Sequence, residues 1–385
     1  MTRSAPTNPF RYGDLALDEA FADREEEIDD LRADMLNGQN VVLFAPRRFG
    51  KSSLVWRVVQ ELVAHDRVLV AQVDLMKTPT KEKLAARLAS SIYDDIASPL
   101  FKVREKATQV FAGLRVAPVI TLDAVDGAVS FSFDAGHRSA DIDATLERLL
   151  ELPGRLAADR RRRAAIVFDE FQEIVSIDPH LPALMRSIFQ EQPEVAHVYL
   201  GSKRHLMEAI FNDVNEPFWR SAKRMELGPI PQQLFGAFIE QQFRRTGRRI
   251  DPAVAAALVA LTQGHPYGTQ ELAYTLWEEV DARGVATAAH LDLAIAKVLR
   301  SEHTHFRRIW EKAAKGQRLT LAALAQEPGF MMGQEYRRRH ELPNPSTTQK
   351  ALSVLVEDEL VAKHGDDGYR IVEPFLAEWI VRNGL

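Results

Sequence analysis

Apolar positions along the chain follow two rhythms. Short apolar runs, Val41-Val42-Leu43-Phe44, 164–168 and 195–200 (the last broken only by His197), are of the kind buried on both faces of a parallel strand. Between them, apolar residues recur every three to four positions and predict helices over 23–36, 52–65, 81–114, 141–161 and 181–190. Further strands are expected at 67–75 and, as a short last one, 225–227. Alternation over 119–133 around Asp126-Gly127 predicts a hairpin, because Asp-Gly suits a type I′ turn. Strands alternating with helices predict an α/β fold with a mostly parallel, doubly wound sheet.

The pattern changes after Pro229 and Pro231. From 232 to 299 every element reads as helical, interrupted by Gly264, Pro266 and Gly268. From 301 onward three helices precede two short strand-like runs, 360–363 and 369–372, and a last helix, which is the winged-helix pattern. The expected divisions are an N-terminal arm at 1–20, an α/β core at 21–230 with an insert at 77–163, a helical domain at 231–300 and a winged helix at 301–385.

Composition narrows the function classes. The 385 residues carry a formal net charge of -5, so chain-wide charge gives no argument for nucleic acid. No cysteine is present, which removes disulfides, thiolate metal sites and cysteine nucleophiles. Residues 1–10 lack the apolar core of a signal peptide, and no apolar run approaches the ~18–20 residues that span a bilayer. A soluble, cytoplasmic protein with no membrane partner is the expectation.

Candidate chemistry begins at Pro46-Arg47-Arg48-Phe49-Gly50-Lys51-Ser52-Ser53, between a predicted strand and a predicted helix. This context defines a phosphate-binding loop, hence a P-loop NTPase fold. Gly50 lets the backbone turn its amides inward, and the helix start favours an anion. Lys51 is expected on the β- and γ-phosphates of ATP, and Ser52 on Mg2+. Ala45 stands where the pattern has its first glycine.

Ile166-Val167-Phe168-Asp169-Glu170 ends an apolar strand in two carboxylates. Asp169 is expected to hold Mg2+ from its outer coordination sphere and Glu170 to polarise the attacking water. Ser202, after the strand at 195–200, is a candidate to orient that water or the γ-phosphate. Arg220, in Phe218-Trp219-Arg220, is the candidate arginine for the transferring phosphoryl group, at the carboxyl edge of the sheet or at a rim facing a neighbour. Arg204 and Arg224 compete with it.

Together these residues resemble the STAND branch of the P-loop ATPases, related to AAA+ proteins, and specifically the archaeal-type prokaryotic ATPases. The likeness is carried by Asn8-Pro9-Phe10, by 21–28, by the paired arginines of the loop, by Phe168-Asp169-Glu170-Phe171-Gln172-Glu173-Ile174, by Gly201-Ser202 and by Gly264-His265-Pro266. It implies one strand inserted between the phosphate-loop and acidic strands, and a helical lid before the winged helix. It also implies that Phe10 and Pro266 flank the adenine, and that hydrolysis drives a conformational switch.

Three functions follow: a slow signalling ATPase exchanging ATP for ADP, an ATP-controlled DNA-binding regulator, and a scaffold that holds ATP without hydrolysing it. A protein partner or a homo-oligomer is compatible with each. For DNA, the candidate recognition helix is 346–357, preceded by Arg337, Arg338 and Arg339, while the wing tip Asp366-Asp367 is acidic.

Overall fold

A computed structural model describes residues 7–15, 18–66, 68–97, 111, 113–122, 129–133, 138–365 and 368–384. The chain forms two compact units. One comprises Arg24–Arg47 and Leu54–Leu227; the other comprises the residues up to Asp23, Arg48–Ser53 and Gly228–Leu385.

The first unit contains, in chain order, α1 (Glu25–Leu36), β1 (Val41–Phe44), all but the opening turn of α2 (Lys51–Glu61), β2 (Leu69–Asp74), α3 (Lys81–Ser91), β3 (Val119–Leu122), β4 (Val129–Ser132), α4 (Ser139–Arg160), β5 (Ala164–Asp169), α5 (Leu181–Phe189), β6 (Val195–Gly201), α6 (Arg204–Asn212) and β7 (Lys223–Glu226). Five strands make one sheet in the order β2-β5-β6-β1-β7, and each neighbouring pair is parallel. All of β1 and β6 is buried, as their almost wholly apolar sequence favours, with His197 the polar exception in β6. In α2, Leu54, Val55, Val58 and Val59 are buried at helical spacing. β6 lies between β5 and β1, in the place expected for the inserted strand.

The hairpin at 119–133 forms as β3 and β4, which pair antiparallel; its Asp126-Gly127 turn lies outside the described residues. One sequence expectation is corrected here, and one helix was not anticipated. The last strand begins at Lys223 rather than 225, and its exposed, charged pattern hides it because only Met225 is buried. Helix α6 had no counterpart in the sequence reading, since only Met207, Ile210 and Phe211 mark its buried side.

The second unit contains α7 (Gln232–Arg245), β8 (Arg249–Ile250), α8 (Pro252–Thr262), α9 (Pro266–Glu278), β9 (Val285–Ala286), α10 (Ala288–Lys312), α11 (Lys315–Gln326), α12 (Gln334–Arg339), α13 (Pro345–Glu357), β10 (Val361–His364), β11 (Gly368–Ile371) and α14 (Pro374–Arg382). The expectation of an all-helical stretch from 232 to 299 fails at β8 and β9, which pair in parallel. Two residues per strand are too few to show alternation. Helix α10 runs without a break through the expected boundary at 300. Its end, the three helices α11 to α13, the antiparallel β10–β11 pair and α14 reproduce the winged-helix order; the wing tip 366–367 is outside the described residues.

Gly264 is required where it stands. Its φ is +69°, and a Cβ there would meet the Ile230 carbonyl oxygen at 2.2 Å. Among the described residues no helix is long and apolar enough to cross a membrane.

Candidate nucleotide site

The loop after β1 runs from Ala45 into α2, which starts at Lys51. Ala45 is buried and its φ is not positive, so the backbone does not need the glycine that the motif usually has there. Gly50 has φ +80°, and the space where a Cβ would sit is open. These are properties of a cradle that lets an anion approach the backbone. Lys51 and Ser53 are buried, while Ser52 is exposed. Arg48 also has a left-handed φ, 66°. Its guanidinium carbon lies 4.4 Å from the Tyr267 ring centroid, and Phe49 packs edge-on against His265 at 4.6 Å.

The sheet brings the other candidates to one edge. Phe44 aligns with Gly201 across β1 and β6, and Phe168 with Tyr199 across β6 and β5. Asp169, the last residue of β5, and Glu170 and Ser202, which follow β5 and β6, therefore lie at the carboxyl ends of adjacent strands, where ligands of open α/β sheets bind. Ser202 Oγ donates to Glu170 Oε2 at 2.8 Å, and Gln172 Nε2 donates to the same oxygen at 2.5 Å. The Glu170 amide donates to Asp169 Oδ1 at 2.9 Å. Glu170 holds φ 52°, a strained conformation for a residue with a side chain. Beneath this turn Phe168, Phe171, Tyr199, Phe211 and Phe218 are all buried, with Phe171 in ring contact with each of the others.

Gln172 is a site residue the sequence reading left without a role. It is buried and its Oε1 has no hydrogen-bond partner. It falls within the stretch that carries the family likeness, but its residue type alone gives no role; the turn at Glu170 brings its amide back onto that carboxylate.

Arg220 is a correction in position. β7 runs parallel to β1 with Lys223 opposite Val41, and the Lys223 amide donates to the Asn40 carbonyl at 2.8 Å. Arg220 precedes β7, so it lies at the amino edge of the sheet, opposite Glu170, and not at the carboxyl edge. There it is exposed, its guanidinium 5.0 Å from the ring of the exposed Trp219, and it helps line a cavity of about 450 Å3 with Val42, Phe211, Ser221, Ala222 and Arg224. Arg204 is at the carboxyl edge instead, paired with Glu226 at 2.7 Å and Glu208 at 2.8 Å.

Phe10 is fully buried, in ring contact with Phe238 and Phe243, so it presents no open face. Pro266 opens α9 and is half-buried. The preceding His265 caps that helix, its Nδ1 accepting from the Gly268 amide at 3.1 Å. Burial, with Arg370 and Arg48 nearby, pushes this imidazole down to about 3, so it is neutral. Among the described residues no three acidic or histidine side chains form a metal cage. A Mg2+ ion bound largely through nucleotide phosphates needs no such cage.

Residues 21–215 match the profile of an ATPase domain predominantly from Archaea, and residues 304–382 that of a probable winged helix domain. Among solved structures, a Walker-type ATPase of Pyrococcus abyssi is similar at 20% identity and TM-score 0.61, covering 95% of this chain and 97% of the other. The ORC2 protein of Aeropyrum pernix, in ADPNP–ADP complexes, is similar at 14% identity and TM-score 0.55, covering 97% and 98%. No curated protein matches in sequence.

Proposed function

The chain belongs to the family of ATPase domains predominantly from Archaea, and from that premise we propose that it is a nucleotide-dependent conformational switch that binds ATP with Mg2+ and hydrolyses it slowly. The observation that carries the reading is Glu170 at the carboxyl edge, its backbone strained and its carboxylate held by Ser202 and Gln172. A structural acidic cap needs neither the strain nor two donors converging on one oxygen.

In this reading Pro46, Arg47, Arg48, Phe49, Gly50 and Ser53 form the loop around the phosphates, and Lys51 pairs with the β- and γ-phosphates. Ser52, with Asp169 acting from the outer coordination sphere, would hold Mg2+, and the ion would neutralise charge developing on the phosphate oxygens. Glu170 polarises a water whose oxygen bonds to the γ-phosphorus as the bond to the ADP oxygen breaks. Ser202 fixes the orientation of that carboxylate. Arg220, exposed on Trp219 at the opposite edge, supports action on the site of a neighbouring copy. Pro266 remains the candidate for the adenine, and Phe10 a core residue that fastens the arm. The segments 231–300 and 301–385 are assigned as lid and winged helix.

The test is calorimetry with MgATP. Lys51→Ala should weaken affinity about a hundredfold, as expected for loss of a buried charged contact. Equal affinity in wild type and variant overturns the assignment.

A second reading, DNA binding through the winged helix, rests on the exposed start of α13, with Ser346, Thr347, Gln349 and Lys350. Its basic support is thin. Arg339 is paired with Glu327 and Glu335, Arg337 donates to the Met332 carbonyl, and among the described residues no partner is seen for the exposed Arg338. Duplex titration at two salt concentrations decides it, since phosphate contacts must give a salt-dependent affinity.

A further inference from the structure

In the phosphate loop the side chain of Arg48 is drawn toward a carboxylate of the winged helix. Its Nη1 lies 3.8 Å from Oε2 of Glu373, the residue that caps α14. The guanidinium also rests over Tyr267, on the first turn of α9. One turn further along α9 is the buried Glu271, which burial pushes up to about 8, with Glu302 and Glu373 adding to the effect and Arg48 opposing it. The side chain of Arg48 is still 52% exposed, so the contact can be exchanged. Its backbone sits in the left-handed region that disfavours any residue but glycine. A glycine at 48 would remove that strain, and with it the charge that links Arg48 to the cap of α14.

We propose that Arg48 senses occupancy of the phosphate loop and that Glu373 is its partner when the loop is empty, one guanidinium being shared between that carboxylate and the phosphates of a bound nucleotide. The proposal rests on the phosphate-loop reading above and names the residues through which the winged helix learns of the nucleotide. Two anions compete for one cation, so nucleotide binding weakens the hold on α14, and loosening α14 strengthens nucleotide binding by the same factor. Glu373 is a positioning residue here, acting through Arg48.

The experiment is a double-mutant cycle by calorimetry, with ADP and with a non-hydrolysable ATP analogue plus Mg2+. Glu373→Gln keeps an oxygen for the Phe375 amide, which donates to Glu373 at 3.4 Å, and removes only the charge. It should tighten nucleotide binding about two- to fivefold, the range for a half-exposed ion pair. Glu373→Asp, as a charge-preserving control, should return most of the way to wild type. In an Arg48→Ala background Glu373→Gln should have no effect. Amide exchange over 374–382 should quicken on adding nucleotide to the wild type and not to Arg48→Ala. The same affinity change in both backgrounds, or weaker binding in Glu373→Gln, overturns the proposal alone. Failure of the wild type to bind either nucleotide overturns the phosphate-loop reading, and the sensor falls with it.

Discussion

The two edges of the five-stranded sheet hold polar groups for different ends. At the carboxyl edge Ser202 and Gln172 converge on a single oxygen of Glu170, and the backbone there is strained. At the amino edge the polar groups close the structure. Asn40 Oδ1 accepts from the His197 amide at 3.0 Å and lies 3.1 Å from His197 Nδ1, while Asn40 Nδ2 donates to the Ser221 carbonyl. His197 is completely buried and stacks on Phe189 at 3.8 Å. Strand direction separates the two. Every strand is parallel, so residues that follow strands gather at one edge and residues that precede them at the other. Changes at the carboxyl edge should strike turnover; changes at the amino edge should strike stability or assembly.

Arg220 offers the sharpest break of that comparison. As an amino-edge residue acting on a neighbour, Arg220→Ala should lower turnover by about 10³ with ATP affinity unchanged. Wild-type specific activity should then rise with protein concentration. Unchanged turnover in the variant returns the amino edge to a purely structural role and moves the search to Arg204.

Glu170→Gln comes next. It keeps shape and hydrogen bonding but removes the charge, and phosphate release should fall by about two orders of magnitude with ATP binding retained. A variant that turns over at the wild-type rate removes Glu170 as the base.

His197 tests the stability half. Burial, with Arg186 nearby, pushes it down to about 3 from 6.5, so the folded chain holds it neutral. Its contribution is complete above pH 6.5 and is lost as pH falls toward 3, because the unfolded chain takes up the proton first. The slope is at most about 1.4 kcal/mol per pH unit. Urea midpoints at pH 7 and pH 5 should show the loss in wild type and a smaller one in His197→Phe, with His265 supplying a parallel share.

The smallest effect is expected for Ser202→Ala. It removes one of two donors to Glu170, and turnover should drop about tenfold with little change in the melting temperature. A large stability loss with unchanged turnover would instead make Ser202 a packing residue.

Much of the sheet was legible because buried parallel strands are written as unbroken apolar runs. Val41–Phe44 and the strand ending at Asp169 announce themselves, and the phosphate loop is fixed by local spacing. Elements held by few buried residues were not legible. β7 buries only Met225, and β8 and β9 have two residues each. The misplacement of Arg220 has the same origin: the edge it occupies depends on the direction and register of β7, which its own charged sequence conceals. Gln172 and Glu373 escaped for another reason. Gln172 folds back onto Glu170 only because of the left-handed turn at Glu170, which residue types do not announce, and no local pattern records a contact between residues 48 and 373.

Helix α10 has a mechanical consequence. Its 25 residues from Ala288 to Lys312 form one uninterrupted rod, about 37 Å long at 1.5 Å per residue. Its first half packs through Leu291, Ala294, Ile295 and Val298, and Phe306 is buried near its far end. A rod of that length converts rotation into travel: a tilt of about five degrees at one end carries the other end about 3 Å. Such a beam has no joint at which motion could dissipate, so whatever turns the helices at its start also swings the domain at its end.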